Sequence, residues 1–428
     1  MVKAVLGAWA LLLGMGMLML GNGLQGSLLG LRAVSEGFGT TVTGLVMTGY
    51  FVGFLAGSVL TPRIVMNVGH VRVFSALASL ASVAILVHAV AVEPLTWAVM
   101  RFLTGFAYAG LYIVAESWLN DRATNETRGK LLSVYMVVLL AGVALGQLLL
   151  NLADPDGVFL FLLTSVMISL ALVPISLTVS PAPEFHTITK ISIRELYRLS
   201  PLGVLGATAT GMAHGTLFAL GAVYGERIGL SVAEISLLMG ATVAGGIVSQ
   251  WPIGYLSDRF DRRRVIVAVA LLAAIFALLA ASFGETSFAL LLGLAFLFGC
   301  MTLPMYSLCI AHTNDYLEPK QMVQAGATLI FVGGVGACFG PPIAATLMGA
   351  VAPSVFFVFL GVVHAAIGLF AVYRMSQRPS KPVDEQMPTL PMASGAAAAT
   401  SRLSAETMRD LRDQDVAQMS RSGLRRGG

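Results

Sequence analysis

Charge is what this 428-residue chain has least of: 11% of its residues are Asp, Glu, Lys or Arg, against about 25% in an ordinary soluble domain. So few charges cannot cover a water-facing surface of this size. A hydrophobic content of 57% equally excludes a disordered chain. Cysteine is scarce too. Cys300, Cys309 and Cys338 are odd in number and lie in apolar runs, so they imply no disulfide framework or metal site and read as buried, inert thiols. The chain has no Gly-x-x-x-x-Gly-Lys-Ser/Thr phosphate loop, no metal-spaced His/Cys cluster and no nucleophile–base pair on one face. No enzyme, ATPase, cofactor or nucleic-acid partner is therefore expected.

What the chain has in abundance is apolar runs of membrane-spanning length. Twelve are read, at roughly 5–30, 40–62, 72–92, 95–118, 130–151, 158–179, 201–225, 232–255, 265–283, 287–311, 323–348 and 354–374. The first is too long for a cleavable signal and lacks a small-residue cleavage site. The breaks are short and polar, as at Glu93-Pro94 and Gly284-Glu285. Residues 180–200 form a polar connector, and residues 375–428, rich in Ser, Pro, Ala and Arg, read as a disordered tail with a short helix near 403–419.

The few charges then set the orientation. With a cytoplasmic N-terminus, Lys3, Arg63, Arg72, Arg122, Arg128, Lys130, Lys190, Arg194, Arg198, Arg259, Arg262, Arg263, Arg264, Lys320 and the tail fall inside. Outside lie only Arg32 and Arg227 among bases, with Glu36, Glu93, Asp154, Asp156, Glu226, Glu234 and Glu285. The positive-inside rule demands such a bias. The expected protein is an all-α, multi-pass inner-membrane protein with both termini cytoplasmic, working as a monomer.

An internal repeat is visible at a shift of 194 residues: Phe102/Phe296, Gly105/Gly299, Tyr112/Tyr306, Asn120/Asn314, Asp121/Asp315, Gly142/Gly336 and Gly146/Gly340 coincide. The Asn-Asp match and the two Gly-x-x-x-Gly pairs are not compositional. Spans four and five correspond to ten and eleven, which implies two six-helix halves, 1–179 and 201–374, joined by the 180–200 connector.

The loop after the eighth span reads Gly254-Tyr-Leu-Ser-Asp258-Arg259-Phe-Asp-Arg262-Arg263-Arg264. It resembles the Gly-x-x-x-Asp-Arg-x-x-Arg-Arg signature of the major facilitator superfamily. The first-half copy, Gly57-Ser-Val-Leu-Thr61-Pro62-Arg63, keeps the glycine and an arginine but lacks the aspartate. Arg101-x-x-x-Gly105 resembles the superfamily's fourth-helix arginine motif, and Glu116 followed by Arg128-Gly129 its acid-then-Arg-Gly pattern. The stretch from Ala115 to Leu149 is similar to a bacterial branch typified by YcaD. The resemblance covers residues 1–375 and implies the twelve-helix, two-half transporter fold.

Arg101 is the sharpest residue. It lies eight positions past Glu93, roughly 12 Å into the span at ~1.5 Å per residue. A charge there is costly unless it faces a wet cavity or a partner. Tyr108 and Tyr112 fall within about 40° of it on the helix. Two readings stand: a polar stripe lining a substrate cavity, or an arginine snorkelling to the outer interface above packed tyrosines. The cavity reading adds Asn22 and Gln25 on one face of the first span, with Thr302 and Tyr306 in the tenth, and implies a small-molecule substrate, anionic because no acid lies opposite Arg101. His214 is read either as a proton carrier or as a hydrogen-bonded packing residue.

Glu116, Arg128, Gly254, Asp258, Arg259 and Arg263 form the expected cytoplasmic gate. Gly254 is expected to let helices approach, Asp258 to sit at a helix N-terminus, and Glu116 to reach Arg259 or Arg263. The plainer alternative is that the arginines only set topology. Gln147 stands where drug/proton antiporters carry proline, and Pro341-Pro342 predict a kinked or unwound eleventh span. The expected function is proton-coupled secondary transport of a small organic solute by alternating access. The alternatives are efflux of amphiphilic drugs and a transporter-like membrane sensor that signals through its tail.

Overall fold

The structure is a computed structural model that describes residues 8–122, 128–177 and 191–377 and, beyond them, residues 381, 382, 386 and 389. Side chains of residues 120–130, 319, 320 and 323 lie outside the description. So do most of the connector and tail, including the short helix expected near 403–419. Among the described residues the regular structure is entirely helical.

The first half holds α1 (Trp9–Ser35), α2 (Thr40–Val68), α3 (His70–Val90), α4 (Pro94–Arg122) and α5 (Arg128–Leu148), which ends in a 3-10 turn, Leu149–Leu152. Its sixth span is α6 (Phe159–Leu170) followed by α7 (Leu172–Ser176). A short α8 (Ile193–Leu199) leads into the second half: α9 (Pro201–Arg227), α10 (Val232–Arg259), α11 (Arg262–Phe283), α12 (Phe288–Thr302), α13 (Met305–Asn314), α14 (Pro319–Ala350) and α15 (Val355–Gln377). The tenth span breaks at Leu303-Pro304 because proline lacks the N–H that would continue α12. The eleventh span does not break: α14 runs unbroken through Pro341 and Pro342, so of the two outcomes expected there, a kink or an unwound segment, unwinding does not occur.

Eleven of these segments are long and apolar enough to cross a bilayer. The span read at 201–225 forms a helix of matching length, α9, 27 residues long, but falls short in apolarity. Its glycines 203, 206, 211, 215, 221 and 225, with Thr210, His214 and Thr216, are buried against other helices rather than turned to lipid. A helix shielded by protein has no need of a continuous apolar surface.

The repeat has a physical basis in backbone contact. A Cβ on Gly105 would overlap the Tyr50 carbonyl, and one on Gly53 the Phe102 carbonyl, where α2 crosses α4. In the second half, Gly299 meets the Thr242 carbonyl and Gly245 the Phe296 carbonyl, where α10 crosses α12. Gly142 and Gly146 of α5 press on Gly16 and Leu20 of α1 as Gly336 and Gly340 of α14 press on Thr208 and Met212 of α9. In lipid, where hydrophobic burial does not drive helices together, such close packing holds the bundle.

The two halves meet chiefly through α2 with α14, α5 with α10 and α1 with α9, with further contact of α2 with α9 and of the Leu149–Leu152 turn with α10. Near the acidic end of the bundle, Gly44 abuts Ala345 and Pro341, and Thr40 lies beside Gly349. There too Asn151 donates to Ser236 Oγ (2.9 Å), which donates to the Gln147 carbonyl (2.8 Å). These contacts seal one end of the space between the halves.

Candidate functional site: a cavity between the halves

From that seal a cavity of about 600 Å3 extends toward the basic end, lined from Arg101, Tyr50 and Asn22 at one extreme to Gly254, Asp258 and Thr389 at the other. Its size falls within the ordinary range for small-molecule sites, about 300–1,000 Å3. Helices of both halves line it, with α9 contributing His214 and Phe218 and α14 contributing Ile330 and Ala337.

Arg101 is 5% exposed. Its Cβ packs close to Gly49 of α2, and its guanidinium carbon lies 4.6 Å from the centre of the Tyr50 ring. Asn22 of α1 lines the cavity beside Tyr50. Among the described residues Arg101 makes no ion pair, and its Nε is buried without a hydrogen-bond partner. The alternative in which Arg101 snorkels outward does not hold: its head is enclosed by protein and borders the cavity.

The rest of the expected cavity set divides. Asn22, Arg101, Tyr112 and His214 line the space. Tyr108 is buried, its hydroxyl donating to the Leu18 carbonyl (3.1 Å), while Tyr112 one turn on reaches Met19 Sδ (3.0 Å). Gln25 is fully buried with both amide atoms unpartnered, and the Tyr306 hydroxyl is likewise buried without a partner. Thr302 lies at the break in the tenth span, behind the lining. Its carbonyl is 3.0 Å from His214 Nε2, and its hydroxyl is 2.9 Å from His364 Nε2. His364 in turn bonds the Leu360 carbonyl through Nδ1 (2.8 Å).

The aromatic wall escaped the sequence reading: Tyr50, Phe51, Phe54, Phe218 and Trp251 all line the cavity. An aromatic residue in an apolar helix gives no sign of whether it meets lipid or a cavity. Gln147 and Gln250 line it as well as bridging helices; Gln147 donates to the Gly23 carbonyl (2.8 Å) and accepts from Ser27 (2.5 Å). Polar amides inside spans were the available signal.

At the basic end the loop signature is arranged differently from expectation. Asp258 sits in the last turn of α10, not at a helix start; the N-cap of α11 is Asp261, whose carboxylate accepts from Arg263 N (3.0 Å). Gly254 faces Thr389 across ordinary contact, 3.7 Å from a built Cβ, rather than admitting a helix. The most deeply buried arginine of the loop is Arg262, which bonds Asp258 (3.1 Å), Asp315 (2.6 Å) and Ser257 (2.9 Å). Arg259 stacks on Tyr255 at 4.3 Å, and Arg263 pairs with Asp261 at 3.4 Å. Glu116 is wholly buried in the first half and accepts from the Tyr135 hydroxyl (3.2 Å). The Arg128 side chain lies outside the described residues.

The tail returns to this loop. Thr389 donates to Asp258 Oδ1 through its N–H (2.8 Å) and its hydroxyl (2.7 Å), and Lys381 donates to the Asp315 carbonyl (2.5 Å).

Two pseudo-symmetric helical halves enclosing a cavity with one end sealed define a multi-pass membrane transporter. The chain belongs to the Major Facilitator Superfamily, whose family model matches residues 11–232 and 203–412. Uncharacterized MFS-type transporters from Enterobacter sp. (strain 638) and Escherichia coli, the latter YcaD, are 29% and 28% identical over 375 residues. These alignments cover 86% and 87% of this chain and 96% and 97% of the relatives. Among solved structures, the nucleoside transporter NupG (a mutant form) superposes with a TM-score of 0.71 at 11% identity, covering 85% of this chain and 98% of that one. A bacterial homolog of the human lysosomal transporter Spinster, in an inward-facing, unoccupied conformation, superposes with a TM-score of 0.66 at 16% identity, covering 94% and 97%. Members of this superfamily are transporters, not enzymes.

Proposed function

We propose that the protein carries a small organic solute across the bacterial inner membrane by alternating access, with both termini cytoplasmic and the monomer as the working unit. The observation that carries this reading is the cavity sealed at one end by α2–α14 and α5–α10 contacts and continuous to Asp258 at the other. By the charge bias of the loops, that arrangement is an inward-facing state. Rocking of the halves about Arg101, Tyr50 and His214 would break the outer contacts and bring α10 and its loop toward α5.

The solute is an anion in this reading, because Arg101, at the sealed end of the cavity, makes no ion pair among the described residues. Proton coupling falls to His214, which lines the cavity and is bonded to Thr302 at the helix break. Efflux of cationic drugs fits less well, since Asp258, the acid lining the cavity, is already engaged by Arg262 and Thr389. A sensor that signals through its tail is the reading from a different class.

The test is a thermal-shift screen of purified protein against metabolites and drugs, followed by proteoliposomes loaded with a pH-sensitive dye. Stabilising solutes should move protons when added to one side, and His214→Gln should retain solute movement but lose its proton dependence. Solutes that bind without crossing would make the protein a sensor instead.

A further inference from the structure

We infer that the substrate class of this cavity is an amphiphilic monocarboxylate, an organic acid with one charge and a flat or branched apolar body. The inference rests on the transport reading above and deepens it.

Charge count comes first. Among the described residues Arg101 is the sole Lys or Arg side chain lining the cavity, and no carboxylate pairs with it. Taking an ion out of water costs several kcal/mol in a protein interior unless a partner compensates it. One guanidinium compensates one negative charge. A dicarboxylate or phosphate monoester would bring a second charge with no partner. A zwitterionic amino acid would bring an ammonium whose nearest lining acid, Asp258, lies at the far end of the cavity under Arg262 and Thr389. A cationic amphiphile would meet Arg101 directly and be repelled.

Geometry selects the carboxylate. A guanidinium presents parallel N–H groups that match the two oxygens of a planar carboxylate. Tyr50 stacks under the Arg101 head, with Asn22 beside it at the cavity wall, so the fork is supported from its face, and its buried Nε has no hydrogen-bond partner among the described residues. The walls select the body. Phe51 and Phe54 of α2, Phe218 of α9, Met19 of α1 and Leu303 and Ile330 near the centre are apolar, and they offer few hydrogen bonds to a sugar or nucleoside. A polyhydroxylated solute would lose bonds to water without replacing them, at a cost of about 1–3 kcal/mol per unmatched group.

The experiment measures direct binding to the full-length protein in detergent, with sodium benzoate, phenylacetate and octanoate as monocarboxylate probes. Benzamide is the neutral counterpart, benzylamine the cationic one, and succinate and glutamate the doubly charged and zwitterionic comparators. The monocarboxylates should bind at least about tenfold tighter than benzamide or succinate, as loss of one charge-assisted bond implies. Arg101→Gln should abolish that preference while Arg101→Lys keeps part of it, with size-exclusion profiles confirming both variants are folded. Equal binding of benzoate and benzamide, binding unaffected by Arg101→Gln, or tighter binding of benzylamine would each overturn the assignment, as would no monocarboxylate binding at all. Counterflow of labelled benzoate in proteoliposomes is read separately: binding without counterflow sinks the transport reading and leaves the site's ligand class standing.

Discussion

Arg262 and Asp315, at the start of α11 and just past the end of α13, form an ion pair of 2.6 Å with 1% and 3% of their side chains exposed. The pair joins the superfamily loop signature to the aspartate of the internal repeat. It ties three helix ends of the second half into one block at the basic end of the bundle. Removing Asp315 takes from a buried guanidinium its shortest ion pair and leaves the partly exposed Asp258 to compensate it; breaking a buried pair costs up to about 3–5 kcal/mol. Asp315→Ala should therefore lower thermal stability in detergent strongly. Asp258→Asn, where the carboxylate is one-third exposed, should cost much less. Equal melting temperatures for these two variants would refute the buried pair as the structural tie.

The glycine crossings predict a contrast. Gly105→Ala and Gly299→Ala each push a methyl group into a backbone carbonyl, Tyr50 or Thr242, that cannot rotate away. Overpacking of this kind costs about 1–3 kcal/mol or more. Gly254→Ala meets only Thr389 at contact distance and should leave folding unchanged. Melting curves of the three variants check this, and a destabilised Gly254→Ala would restore a helix-packing role for that glycine.

Tyr50 predicts a graded effect on the cavity charge. Tyr50→Phe keeps the ring under Arg101 and loses the hydroxyl, whereas Tyr50→Leu removes the ring. A desolvated cation–π contact is worth about 2 kcal/mol. Benzoate affinity should fall little in Tyr50→Phe and by about tenfold or more in Tyr50→Leu. The same loss in both would put the effect in the hydroxyl.

Tail contacts separate transporter from sensor. Truncation after Gln377 removes Lys381 and Thr389, and with them partly exposed hydrogen bonds to Asp315 and Asp258. Each such bond contributes about 1 kcal/mol. The truncated protein should remain folded, and counterflow should persist at a comparable rate. Retained ligand binding with complete loss of counterflow would assign the tail an essential role in the cycle.

How much was legible follows from the kind of force each feature answers to. A bilayer about 30 Å thick requires long apolar helices wherever the chain crosses it, so the spans and the all-helical class could be read directly. The repeat was legible because Gly105/Gly299 and the two Gly-x-x-x-Gly pairs mark points where backbones touch, and only glycine fits there. Arg101 stood out because a charge in an apolar run has few places to go.

The remainder belonged to tertiary structure. Tyr108 and Tyr112 share a helix face one turn apart, yet α1 covers the first and the cavity reaches the second. Gln25 matched Asn22 in helical phase, but only Asn22 borders the open space. Asp258 looked like a helix cap until the end of α10 placed it one turn earlier and gave the cap to Asp261. The sequence by itself determined that most of the basic residues cluster at one end of the bundle and that Arg101 must find a cavity, a partner or the interface, since lipid penalises misplaced charge whatever the packing. Which residues surround Arg101, and that Asp315 pairs with Arg262, was decided only when helices far apart in the chain came into contact, because neither a cavity nor a buried ion pair exists until both of its sides are assembled.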